Sequence, residues 1–136
     1  MGTSPFTLDN EELKNSVQVL LLLYVKPDKI SDLIAEAYKN TSKNWQDEIF
    51  YIVVNKFQGK ESQAVFFTEQ LESSLSESVY ESKIWQKIDA LSFDEKLPYL
   101  LYHVLGWDNE KIGKLLNSSI SEVEVLFVRI LRKLEN

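Results

Sequence analysis

The sequence predicts an all-α protein that consists of two small helical units. Apolar residues recur at spacings of three and four along most of the chain, which is the period of amphipathic helices. Only four glycines and three prolines occur among the 136 residues, so few positions interrupt a helix. A stretch rich in serine and glutamate, residues 69–82, has the composition of a linker. We therefore expect one unit at residues 8–60, an acidic linker at 61–82 and a second unit at 83–136.

Three helices are predicted in the first unit. An Asp9-x-x-Glu12 pattern resembles a capping box, in which side chains accept hydrogen bonds from otherwise unpaired amides. Lys26-Pro27-Asp28 is expected to break the chain between the first two helices, because proline interrupts helical hydrogen bonding. The helices are expected at about residues 9–25, 29–39 and 44–57, with a further short helix at 64–71.

The second unit is predicted to start near Lys83 with a short docking helix. Ser92-x-x-Glu95 forms the next capping-box pattern, ahead of an apolar run that ends near Gly106. Pro98 lies inside this run, and proline within a helix removes a hydrogen bond and clashes with the preceding turn. We therefore expect this helix to begin or to kink at Pro98.

The last two helices have the layout of a helix-turn-helix, a motif whose second helix normally enters the DNA major groove. Asp108 is predicted to cap the first of them, and Ser119-x-x-Glu122 is predicted to cap the second after a polar turn at residues 117–119. The inward positions of the final helix are predicted to be Ile120, Val123, Phe127, Ile130 and Leu134.

The charges around the final helix oppose DNA binding more than they favour it. Glu122 and Glu124 lie at outward positions near its start, where carboxylates would face phosphates. With a net charge of −6, the chain also lacks the excess of basic residues that is typical of a nucleic-acid binder. Basic residues near its C-terminal end are expected equally from phosphate contact and from the helix dipole. The residues that could contact DNA are Ser121, Arg129, Arg132 and Lys133.

A second apolar face is predicted on the final helix. Val125, Leu126, Val128 and Leu131 lie off the stripe that faces the core, whereas a surface helix normally devotes one face to the core. Each large aliphatic side chain left in water forgoes about 1.5–3 kcal/mol of burial free energy. We expect these four residues to contact the other unit, a partner protein or a second copy of the chain.

The composition argues against several other classes of function. The chain has no cysteine, and its apolar run at residues 17–25 is too short to span a membrane. His103 is the only histidine, with no nucleophile or carboxylate at a catalytic spacing. No phosphate-binding loop, dinucleotide loop or zinc spacing occurs. We therefore expect a cytoplasmic protein that is not an enzyme and holds no cofactor or metal.

The second unit resembles region 4 of the bacterial sigma-70 family, especially its short extracytoplasmic-function type. The match runs without a gap from Leu91 to Leu134. The matching positions are Leu91 in the family's LP motif, Leu100, Leu101 and Val104 in its apolar helix, Gly106 before its helix-turn-helix, Glu110 and Ile112 in its EIA element, Leu115 and Leu116 after it, Ser119, Ile120 and Val123 at the start of the recognition helix, and Arg129, Arg132, Lys133 and Leu134 at its basic end.

The first unit resembles region 2 of the same family. Residues 31–38, SDLIAEAY, resemble the helix that docks on the RNA polymerase clamp, and Ile52 and Asn55 match the helix that follows it. The residues that this resemblance places against a protein partner are Asp32, Leu33, Glu36 and Tyr38.

Two departures from the family pattern concern promoter binding. The recognition helix of the family has small and basic residues where this chain has Glu122, Glu124, Val125 and Leu126. The basic and aromatic cluster that holds the melted promoter strand is reduced to two lysines, Lys56 and Lys60.

The resemblance and its departures together imply a sigma-factor-like transcription regulator. It would bind RNA polymerase core or an anti-sigma-type protein, with weak or altered binding to duplex promoter DNA. One alternative is an acidic sigma mimic that sequesters an anti-sigma factor. Another is a helical homodimer that does not bind DNA.

Overall fold

The computed structural model of the chain describes residues 11–41, 43–59, 67–68 and 83–135. These residues form helices joined by short turns, with no strand among them, so the predicted all-α class is confirmed. None of the helices within these ranges is both long enough and apolar enough to cross a bilayer.

The chain divides into two compact units, Met1–Leu71 and Glu72–Asn136. The division falls inside the predicted linker at residues 61–82. Apart from Phe67 and Thr68, that linker lies outside the described residues.

The described part of the first unit contains α1 (Glu11–Leu22), α2 (Pro27–Asn40) and α3 (Trp45–Gln58). Pro27 lies in the first turn of α2, where its missing N–H would have no helical partner in any case. The predicted break between the first two helices is present at residues 23–26, and α2 starts two residues before the expected Lys29 because the proline opens the helix. The predicted cap at Asp9 lies outside the described residues.

The core of the first unit lies between its three helices. α2 and α3 pack against each other most extensively, and α1 contacts both. Gln46 Nε2 on α3 donates a hydrogen bond of 2.9 Å to Oγ of Ser16 on α1, which satisfies a fully buried hydroxyl. The buried apolar side chains around this bond include Val19, Leu20, Leu33, Ile34, Ile49, Phe50 and Val53.

Phe67 and Thr68 return to the end of α1. Phe67 pairs with Val25 in an isolated antiparallel bridge, and the Thr68 N–H donates to the Tyr24 carbonyl oxygen at 2.7 Å. The ring of Phe67 also meets the ring of Phe57 edge-on, with 5.6 Å between centroids. The helix predicted at 64–71 is thus wrong at these two residues, because they provide partners for the backbone beyond α1. The rest of that prediction lies outside the described residues.

The described part of the second unit contains α4 (Lys83–Asp89), α5 (Phe93–His103), α6 (Asn109–Leu116) and α7 (Ile120–Glu135). α5 begins at Phe93, directly after Ser92, whose N–H donates to the Glu95 carboxylate at 3.3 Å. Of the two alternatives predicted at Pro98, a start or a kink, the start is wrong. The proline lies inside α5 and is buried, so packing outweighs its missing hydrogen bond.

The core of the second unit receives side chains from α4 to α7 and from the loops between them. Its inward positions were predicted correctly for most of α7, where Val123, Ile130 and Leu134 are buried. Ile120 is 49% exposed, against the prediction. Helical side chains lean toward the N-terminal turn, and the first residue of a helix has no such turn to cover. The other buried apolar residues are Ile88, Leu91, Leu97, Leu100, Leu101, Trp107, Ile112 and Leu115.

Candidate protein-contact surface on the last helix

The connection between α6 and α7 is a tight turn held by its own backbone. Asp108 caps the start of α6 by accepting a hydrogen bond from the Lys111 N–H at 2.8 Å, as predicted. Asn117 ends the helix in the left-handed conformation, with φ of 55°. The next N–H, that of Ser118, then donates to the Gly113 carbonyl oxygen at 2.8 Å. Together these bonds fix where α7 starts.

Gly113 allows the turn to approach α6 closely. A Cβ atom at this position would lie 2.6 Å from the Ser118 carbonyl oxygen and 3.5 Å from a methyl group of Val123. The first distance is shorter than van der Waals contact, and the neighbour is backbone, which cannot rotate away. No local sequence pattern indicates this role, because helix propensity alone disfavours glycine here.

Glu122 serves the start of α7 as a capping residue. Its N–H donates to Ser119 Oγ at 3.1 Å, while its carboxylate accepts from the Ser119 N–H at 3.0 Å, so the predicted capping box is confirmed. These hydrogen bonds from Ser119 hold the pKa of Glu122 below its usual range. The carboxylate of Glu122, which would repel DNA phosphates, therefore also has a structural role.

Three aliphatic residues of α7 are exposed on its outward side: Val125, Val128 and Leu131. Their exposed fractions are 68%, 50% and 51%, which are high for side chains of this kind. We call these three residues the outer stripe. Leu126, the fourth residue of the predicted apolar face, is half-buried and lies toward the core side of the helix.

Polar residues of α7 flank the outer stripe. Ser121, Glu124 and Arg132 are exposed, and neither Glu124 nor Arg132 forms an ion pair within the part of the chain that the structure describes. This face therefore carries one acidic and one basic group beside three aliphatic side chains.

Two of the four predicted DNA-contacting residues bind a buried carboxylate instead. Glu95 on α5 is 2% exposed, and its oxygens accept hydrogen bonds from Arg129 Nε at 3.2 Å and Lys133 Nζ at 2.8 Å. Ser92 adds a hydroxyl donor at 3.1 Å. Burial alone raises the pKa of Glu95, but the hydrogen bonds from Lys133 and Ser92 outweigh it and hold the pKa below its usual range.

This contact changes how α7 presents its positive charge. Arg129 and Lys133 stay about half-exposed, with side-chain exposures of 58% and 53%, yet both face an anion inside the unit. Their charge is partly neutralised, which leaves Arg132 as the exposed cation that α7 presents without a described partner. Ser121 is exposed but uncharged, so it adds no charge–charge attraction to phosphate.

The residues predicted to contact a partner from the first unit divide into two groups. Asp32 and Glu36 are exposed on α2, and Tyr38 is 38% exposed near its end. Leu33 is 2% exposed and lies in the core between the helices. Its side chain is therefore not available to a partner, because it belongs to the buried stripe of α2 together with Ile30, Ile34 and Ala37.

The ring of His103 packs among aromatic side chains. Its ring lies 4.3 Å from that of Tyr99 and 5.0 Å from that of Tyr102, centroid to centroid, and Tyr102 in turn lies 5.4 Å from Phe127. Within the described ranges, no three histidine, cysteine or acidic side chains come together as metal ligands would.

The contact by which Glu95 joins α5 to α7 is not predictable from the sequence. The capping pattern of Glu95 with Ser92 was visible, but a contact with Arg129, 34 residues later, leaves no periodic signal. The sigma-70 resemblance stays a prediction carried by the residues named above. Comparison of the chain with protein-family models, with characterised proteins and with solved structures found no match.

Proposed function

We propose that this protein is a sigma-factor-like regulator of transcription that acts by binding other proteins and not by reading promoter DNA. The observation that carries the proposal is the surface of α7. Its outward side presents the aliphatic residues Val125, Val128 and Leu131, while Arg129 and Lys133 are engaged with Glu95. Such a surface fits protein contact better than phosphate contact.

Exposed aliphatic residues on consecutive turns favour a protein-contact role. Single hydrophobic residues on a surface are ordinary, whereas contiguous ones mark interaction sites more often. The central part of a protein interface is depleted in charge and rich in apolar side chains, with a polar rim. The outer stripe with Glu124 and Arg132 beside it has this composition.

The same helix is poorly suited to duplex DNA. Binding to DNA gains most of its free energy when cations replace counterions at the phosphates. Here Glu122 and Glu124 lie in the first turns of α7, and Arg132 alone is exposed without a described partner near its end. We therefore infer weak and non-specific duplex binding at most.

The first unit supplies the surface that we propose for RNA polymerase core. The resemblance to the clamp-binding helix of sigma factors falls on α2, whose exposed face carries Asp32, Glu36 and Tyr38. An acidic face with an aromatic edge suits a basic protein surface. Binding to polymerase implies that the protein acts in the cytoplasm.

An acidic sigma mimic is the second candidate, and one observation favours it. Glu122 and Glu124 make the start of α7 negative, which suits a protein that occupies an anti-sigma factor without engaging a promoter. In that case an anti-sigma-type protein would replace the polymerase as the partner.

Direct binding to purified bacterial RNA polymerase core tests the proposal. We expect the full chain to bind immobilised core in biolayer interferometry, and the double change Asp32→Lys with Glu36→Lys to weaken binding at least tenfold. The matched control is Glu11→Lys with Glu12→Lys, which alters the net charge equally on exposed residues of α1. We expect this control to bind like the wild type.

Two results would contradict the proposal. One is a wild-type chain that does not bind the core. The other is equal weakening by both double variants, which would indicate charge alone instead of the α2 surface. Binding to an anti-sigma-type protein in the absence of polymerase binding would support the mimic.

A further inference from the structure

We draw no further inference here: the strongest candidate, the exposed aliphatic face of the last helix formed by Val125, Val128 and Leu131, is a surface without a described partner, and nothing in the described part of the chain shows what covers it.

Discussion

At the scale of single residues, the second unit depends on one buried carboxylate. Glu95 is held by Arg129, Lys133 and Ser92, and the two cations remain about half-exposed. The members of this cluster are therefore not equivalent. A cation that loses its partner can be hydrated, whereas the carboxylate of Glu95, whose side chain is 3% exposed, cannot.

Removing the cations is therefore expected to cost more stability than removing the anion. Arg129→Gln with Lys133→Gln should lower the free energy of unfolding by about 3 kcal/mol, the low end for a broken buried pair because the cations are partly solvated. Glu95→Gln should lower it by about 1 kcal/mol, since its amide can keep the bond from Ser92. Urea denaturation of the three proteins measures both values. Equal losses would contradict the asymmetry.

The depressed pKa of Glu95 also predicts how stability depends on pH. In the unfolded chain this carboxyl takes up a proton near its ordinary pKa of 4.5, whereas in the folded unit it stays charged to lower pH. The unfolded state thus binds more protons in this window, so stability is full above about pH 4.5 and falls as the pH is lowered through the folded pKa.

Comparison with Glu95→Gln isolates this contribution. The carboxylate of Glu122 also has a lowered pKa, so part of the acid dependence should remain in the variant. We expect thermal unfolding of Glu95→Gln between pH 6 and 3 to show a smaller drop than that of the wild type. Identical pH profiles would mean that Glu95 makes no such contribution.

At the scale of helices, capping patterns in the sequence predict where some helices begin. Tertiary contacts decide which residues inside a helix are buried and which side chains pair. The starts of α6 and α7 follow from Asp108 and from the Ser119–Glu122 pair, because capping involves residues only three apart. A helix start at Pro98 was wrongly predicted, since the tolerance of this proline inside α5 depends on burial that no local pattern encodes. The exposure of Val125, Val128 and Leu131 follows from helical periodicity, whereas the pairing of Arg129 with Glu95 does not.

The joint between α6 and α7 yields a stability prediction. Gly113→Ala would place a methyl group 2.6 Å from the Ser118 carbonyl oxygen, which forces the turn apart. Although alanine favours helices over glycine by about 1 kcal/mol, overpacking of this kind costs about 1–3 kcal/mol. We expect a net loss of about 1 kcal/mol, measured by urea denaturation. Gly59→Ala is the control, because its nearest neighbour would lie 3.4 Å away, and a loss as large there would contradict the steric explanation.

At the scale of the whole molecule, both the net charge and the aliphatic surface of α7 disfavour binding to duplex DNA. The chain carries 21 acidic and 15 basic residues, and the helix that would enter a DNA groove adds no concentrated positive charge. In the second unit α7 follows α6 across a tight turn, and the outward face of α7 is aliphatic. The acidic start of α7 is visible in the sequence, and the structure adds that two of the basic residues face Glu95.

Duplex binding by the full chain is therefore expected to be weak. At 150 mM salt we predict no saturable binding to a 30-base-pair duplex below about 100 μM, the weak end of non-specific affinity. Fluorescence anisotropy over a salt series measures this directly. Glu95→Gln should increase binding at low salt by releasing Arg129 and Lys133, while Glu11→Gln removes one exposed carboxylate elsewhere as a control. Tight binding by the wild type with a steep salt dependence would contradict the prediction.

The hydrogen bonds that Glu95 accepts from α7 restrict the rotation of this helix about its axis. Arg129 and Lys133 are separated by about one helical turn, so a single carboxylate holds two points on the same edge of the helix. Aliphatic side chains in a core allow a helix to roll about its own axis by small angles, because their contacts have no direction. Two hydrogen bonds to one fixed anion oppose that roll. Glu95 thereby sets the direction in which the outer stripe of α7 faces, although Glu95 contacts none of the residues of that stripe.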